Sequence, residues 1–173
     1  MHQVTPRRRS ATAALGCVVL VVAASAMSVS AQETERTVTI SHGSVTDGTV
    51  YIDLGDPGPS VGDVRAFSAD ATDDSGRAGR LTATLTTSSS DWPAEGDELR
   101  LADIVMMFGD GFADQLVITG ASLYPGDSST ITPGDSTTRP IGGGSGLWSG
   151  ARGYVETIHS PDDTWQHIFH LLP

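Results

Sequence analysis

Six glycines fall within the thirteen residues 141–153 (IGGGSGLWSGARG), and no other stretch restricts the fold as much. Glycine loses more backbone freedom on folding than any other residue, so a run this dense does not suit an ordinary strand or helix. It predicts a tight turn in which backbone passes close to backbone. The chain then continues as Ala-Arg-Gly-Tyr-Val-Glu-Thr-Ile over residues 151–158, which reads as a strand.

Upstream, almost nothing after Gln32 has helical period. β-Branched residues recur with alternation at residues 36–40, 49–54, 63–69 and 81–86, between clusters of turn formers. Gly55-Asp56-Pro57-Gly58-Pro59 is a stiff loop, and Asp73-Asp74-Ser75-Gly76 signals a hairpin. Residues 88–97 read as a polar loop. Residues 99–108 and 113–123 are apolar at odd and even positions alike, which predicts burial on both faces. Residues 124–140 are rich in Pro, Gly, Ser, Thr and Asp and read as a long loop. Strands at 154–159 and 165–172 complete the set. About eight sequential strands with short turns predict an all-β fold, an eight-stranded antiparallel up-and-down β-barrel.

The first 31 residues read as an export signal instead of domain. Arg7-Arg8-Arg9 is a basic start, residues 15–26 are apolar and uncharged, and Val29-Ser30-Ala31 is a small-x-small cleavage site. The apolar run is shorter than the roughly 20 residues a bilayer span needs. Residues 32–36 then form a short flexible start, and the barrel domain covers 37–173. Cys17 is the single cysteine and leaves with the signal. The mature chain therefore has no disulfide, thiol nucleophile or thiolate metal site. Removing three arginines takes the net charge from −11 to −14, and lysine and asparagine are absent throughout. So acidic a surface argues against nucleic acid or an anionic membrane as partner. The expectation is a secreted protein with no membrane attachment after cleavage.

The chemistry-bearing residues are sparse. His167 and His170 are three apart, so on one strand they face opposite sides, poor geometry for a shared metal. Asp70, Asp73 and Asp74 lack the ordered ligand spacing of a calcium loop. The glycine run has no following Lys-Ser/Thr for phosphate, and Ser145 and Ser149 lack the spacing of a nucleophile elbow. No cofactor and no metal are expected. Charged residues at strand positions carry more weight: Asp53, Asp63, Arg65, Arg152 and Glu156. If some point inward, burial forces pairing or shifted pKa values. The alternation alone leaves inward and outward both open. For Arg152, which follows a tight turn, hydrogen bonding to loop carbonyls competes with a chemical role.

Residues 141–155 (IGGGSGLWSGARGYV) resemble the Gly-Gly-Ser/Thr-Gly-x-aromatic-x-Gly-Ala-x-Gly segment of allene oxide cyclases and plant dirigent proteins. Upstream, Val61-Gly62-Asp63 through Phe67, then Asp73-Asp74-Ser75-Gly76 and Gly79, resemble the Gly-Asp-x-x-x-Phe and following hairpin of the same superfamily. Together with the export signal, the pattern is similar to bacterial exported allene oxide cyclase barrel-like proteins. The resemblance implies an eight-stranded barrel with an apolar cavity, a homotrimer, and an activity that steers a reactive intermediate by positioning. The cyclases carry a glutamate and an asparagine on the first barrel strand and a cysteine in the cavity. Here those strand positions hold Ile52 and Leu54, with Asp53 one position off, and the mature chain lacks cysteine. Allene oxide cyclase activity itself is therefore not expected. The candidate catalytic residues are Asp53, Asp63 and Arg65, and the candidate ligand contacts are Tyr51, Phe67, Trp148 and Arg152. The leading expectation is a dirigent-like barrel that binds a small apolar molecule and guides its cyclisation or coupling. The alternative is a non-catalytic secreted carrier or structural module.

Overall fold

A computed structural model describes residues 34–173; the export-signal expectation for residues 1–31 lies outside them. Nine strands follow in order: β1 (Arg36–His42), β2 (Val50–Ile52), β3 (Val64–Asp73), β4 (Ala78–Ser90), β5 (Asp97–Phe108), β6 (Asp114–Pro125), β7 (Ser136–Ser145), β8 (Gly153–His159) and β9 (Trp165–Leu171). From β3 onward each strand pairs antiparallel with the next. β9 then pairs with β1, and β1 returns to β3, so the sheet closes on itself. β1 meets β3 at Ala71–Asp73, and the short β2 takes the same edge of β3 at residues 64–66. β1 and β2 thus share one station in the wall, and the structure is a closed eight-stranded antiparallel β-barrel.

Side chains alternate in and out, as the two-residue period of a strand requires. On β5, Glu98, Arg100, Ala102, Ile104, Met106 and Phe108 point inward and are buried. The outward set of β5 and β6 departs from the expectation of burial on both faces: Leu101 is 51% and Leu123 is 45% exposed. Apolar residues at successive positions made both faces look buried, whereas a barrel encloses only one. The lower half of the lumen is filled by Ile40, Leu81, Met106, Leu116, Val155 and Phe169, all fully buried. Each buried side chain of this kind contributes roughly 1.5–3 kcal/mol. Trp148 closes the lower end, edge-on to Phe108 at 5.4 Å. The Arg77 guanidinium lies over both rings and is held there by Asp73 and Asp114.

The glycine run differs from its expectation. It is not a turn throughout: β7 passes through Gly142, Gly143 and Gly144 before a 3₁₀ turn at Gly146–Trp148. Gly142 is the extra residue of a bulge, since Val117 pairs with Gly143 and Ile118 with Ile141. Close backbone approach is what requires glycine here. A Cβ on Gly144 would sit 2.4 Å from the Trp148 carbonyl oxygen. At Gly153, where φ is +132°, it would sit 2.0 Å from the His170 carbonyl. The loop expected over 124–140 shrinks to residues 126–135, because β6 runs to Pro125 and β7 starts at Ser136.

Gly150 also has positive φ (+81°), but its Cβ direction is open. Gly150→Ala should therefore cost about 1–2 kcal/mol from strain alone, and Gly153→Ala more than about 3 kcal/mol from strain plus collision. Urea denaturation of the two variants beside the parent measures both.

Candidate functional site

The upper half of the lumen is polar where the lower half is not. Glu98 sits there fully buried. Its Oε2 accepts from Thr87 Oγ1 (2.6 Å) and Arg100 Nε (2.9 Å), and Arg65 Nη1 lies 3.2 Å away. Its Oε1 accepts from Arg65 Nη2 at 3.3 Å. Arg100 Nη2 donates in turn to the carbonyls of Pro125 (3.1 Å) and Ser128 (2.7 Å). The guanidinium groups of Arg100 and Arg139 lie 4.6 and 5.7 Å from the centre of the Tyr124 ring, and Arg139 Nη2 donates to the Tyr124 hydroxyl. Burial pushes the Arg100 guanidinium down from its ordinary range, against the hold of Glu98.

Beneath this cluster lies a narrow, partly open cavity of about 30 Å³. Phe67, Leu81, Leu85 and Ile104 line it, and Tyr124, Arg139, His42 and His167 border it, so that its surface is almost wholly apolar. Thr130 and Ile131, from the loop 126–135, form its roof. Two clamps hold that roof: Arg100 on the Ser128 carbonyl, and His159 Nδ1 on the Ile131 carbonyl at 2.7 Å. His159 also stacks on Trp165, ring centres 4.0 Å apart.

The two histidines of the wall have their tautomers fixed by their neighbours. His42 Nδ1 faces the Gly43 carbonyl at 2.6 Å and must donate to it. Its Nε2 is then an acceptor for His167 Nε2–H, 3.0 Å away. His167 Nδ1 is left to accept from the Thr157 hydroxyl at 2.9 Å. This chain of bonds is satisfied with both rings neutral. Burial pushes His42 below its ordinary pKa, and pushes His167 well below it with help from the His42 and Arg139 charges.

The wall has a seam at this height. Residues 119–125 of β6 pair only with β5, and residues 136–140 of β7 pair only with β8. Ser122 and Thr137 bridge the gap through their hydroxyls at 2.6 Å. Outside it is a cleft of about 540 Å³, and Tyr124, Ile131 and Thr137 line both this cleft and the cavity within. Three side chains thus separate the lumen from the outside.

Of the residues singled out from sequence, Phe67 lines the cavity and Arg65 joins the Glu98 cluster. Asp63 is buried, but in the wall beside the lumen. It accepts from the Tyr51 hydroxyl (2.6 Å) and from the N–H groups of Leu54 (2.9 Å) and Ser60 (2.8 Å). Burial pushes this carboxyl up, but those donors outweigh it and hold the pKa at about 2. The same bond pushes the Tyr51 hydroxyl up to about 12. Tyr51 and Arg65 line a groove of about 290 Å³ on the upper rim. Asp53 is exposed and accepts from Gly58 N–H at 3.3 Å. Trp148 lies at the opposite end of the barrel, and Arg152 is exposed, its carbonyl accepting from Leu172 N–H.

Sequence reading missed Glu98, Tyr124 and Arg139 because they fall in or beside segments read as loops, and Arg100 because it lies in a strand read as apolar on both faces. The signal was parity: residues 98 and 100 continue the inward even positions of β5, and 124 those of β6. Among the described residues no group of three His, Cys, Asp or Glu is placed to hold a metal ion.

No family model matches the chain, and no curated protein sequence matches it. Solved structures do. One is a pyocyanin demethylase, 19% identical with a TM-score of 0.53, covering 78% of this chain and 98% of that one. Another is a pterocarpan synthase dirigent protein, 18% identical with a TM-score of 0.51, covering 88% of this chain and 99% of that one. Both likenesses are of fold.

The histidine pair sets a pH dependence. His42 and His167 have folded pKa values below the unfolded value of about 6.5, so the unfolded chain takes up the extra protons first. Their contribution is whole above pH 6.5 and is lost as pH falls below it, by up to about 1.4 kcal/mol per unit for each ring. Arg139, His159 and Asp163 also face the pair. The lowered carboxylates (Asp63, Asp73, Asp162 and Asp163) act below about pH 4. Urea midpoints taken between pH 7.5 and 5 should fall in the parent and fall less steeply in His167→Gln.

Proposed function

We propose that the barrel binds a small, mostly apolar organic molecule in its upper lumen and holds it in one orientation. Guided cyclisation or coupling of that molecule is the activity this arrangement favours, since fixing one conformer needs little covalent chemistry from the protein. The observation that carries the reading is the cavity itself: an almost wholly apolar space bordered by Tyr124, Arg139, His42 and His167, at one end of an otherwise packed barrel. Such a site is where perturbed titratable groups and ligand chemistry coincide. Two structures of this fold are named as a pyocyanin demethylase and a pterocarpan synthase, which supports small-molecule chemistry in the lumen.

A space of about 30 Å³ takes a water, not an organic ligand, so binding requires the Ile131 side chain to move aside. The roof is suited to that. Polar clamps hold it, and it stands against the unpaired seam between β6 and β7. Phe67 and Tyr124 then become direct ligand contacts, while Arg65 keeps Glu98 in place. A carrier without turnover is the second reading, favoured by the aliphatic wall of Leu81, Leu85 and Ile104. In either case we propose an exported protein. The exposed Leu101 and Leu123 support a homotrimer that covers them.

Native mass spectrometry of the protein purified from its producing cells should show a bound small molecule. Leu85→Trp, which fills the cavity from its wall, should remove it while the barrel remains folded by far-UV circular dichroism. Retention of the molecule by a folded Leu85→Trp protein would place binding elsewhere.

A further inference from the structure

We infer that the lumen ligand carries a single negative charge, a carboxylate, which seats against Arg139. This deepens the small-molecule reading and rests on it. The upper lumen buries three arginines: Arg65, Arg100 and Arg139, none more than 3% exposed. Two of them are offset. Glu98 pairs with both Arg65 and Arg100, and Asp63 reaches the Arg65 surroundings through Tyr51, whose ring lies under the Arg65 guanidinium at 4.7 Å.

Arg139 has no carboxylate partner among the described residues. Its one side-chain bond runs to the Tyr124 hydroxyl, and its Nε is buried without an acceptor. It lies on the cavity wall, and so does Trp165, whose Nε1–H is likewise buried and unpartnered. His42 and His167 do not neutralise it, since an imidazole supplies no negative charge in either protonation state. A buried cation without a counter-charge is among the most unfavourable arrangements a fold can hold, and leaving donors unmet adds to it. A carboxylate supplies both missing elements, a negative charge and acceptor lone pairs, and guanidinium is the side chain best matched to it. The rest of the ligand then extends down among Phe67, Leu81 and Ile104. The acceptors in this region, the Tyr124 and Thr157 oxygens and the roof carbonyls, carry no formal charge that would repel it.

Benzoate and benzyl alcohol, similar in shape and differing in charge, are suitable probes in halide-free buffer. Titration of the folded full chain, followed by calorimetry and Trp fluorescence, should give at least tenfold tighter binding of benzoate. Arg139→Met should abolish that preference and leave benzyl alcohol binding within twofold. Arg139→Lys, which keeps the charge but loses the planar fork, should retain a reduced preference and serves if the methionine variant does not fold. Ile131→Ala should tighten both probes by emptying the roof position. Equal affinity for the two probes, or a preference that survives Arg139→Met, overturns the carboxylate assignment and leaves small-molecule binding standing. Binding of neither probe, including to Ile131→Ala, overturns both.

Discussion

One carboxylate, Glu98, allows this barrel to have a polar interior at all. Two guanidinium groups and a threonine hydroxyl converge on its two oxygens inside a fully buried shell. A carboxylate or guanidinium buried alone is strongly disfavoured, whereas a paired and fully hydrogen-bonded set is tolerated. Because Glu98 anchors Arg100 through Nε, Arg100 Nη2 can reach the carbonyls of Pro125 and Ser128, while Nη1 stays buried without an acceptor. The roof of the lumen is therefore tied to the ion cluster as well as to His159 and to the apolar contacts of Ile131. The cluster, the Tyr124 ring under Arg100 and the cavity below it form one connected assembly.

The two ends of the barrel divide the work. The lower end is dry and sealed, with Phe108, Trp148 and Arg77 stacked across it. The upper end gives up regular pairing. β7 is bonded to β8 over its first half and to β6 over its second, so a break in the ladder falls between β6 and β7 above Ile118. The Gly142 bulge and Pro140, which has no N–H to give, stand where that switch happens. The segment that first suggested backbone crowding thus has a second consequence: it shapes the seam as well as packing the lower end.

The fold was legible because strand parity and turn chemistry are local. Asp73-Asp74-Ser75-Gly76 does form the β3–β4 hairpin, and the apolar runs at 99–108 and 113–123 do form the long β5–β6 pair. The site was far less legible. Whether Asp63 or Glu98 reaches the lumen depends on where each strand begins, and boundaries are the least determined part of a local pattern. A shift of two residues at the start of β5 moves Glu98 from a loop into the lumen. Arg139 was hidden differently. It lies among Thr, Pro and Gly in a strand whose hydrogen bonds come from one side at a time, so no periodic signal surrounds it. The histidine relay joins residues 125 positions apart, and only barrel closure through β1 and β9 brings them together.

The placement of the cations bears on what the lumen is for. Seven arginines follow residue 31, with no lysine, in a chain of strongly negative net charge. Arg36, Arg80 and Arg152 are exposed and Arg77 caps the lower end, while the other three occupy the upper lumen. A chain so short of positive charge commits nearly half of it where burial is most costly. Fold stability does not call for this, since apolar residues of similar volume often replace buried ion pairs without loss. The field is consequently inverted, negative outside and positive within. An acidic surface repels anions over about 10 Å at ordinary ionic strength, whereas a desolvated guanidinium attracts them strongly at contact. Under the proposed binding reading, surface repulsion disfavours polyanions and the lumen suits a ligand whose single charge is small beside its apolar body. In that reading the apolar lower wall of the cavity and Arg139 at its top are complementary to the two ends of one proposed molecule.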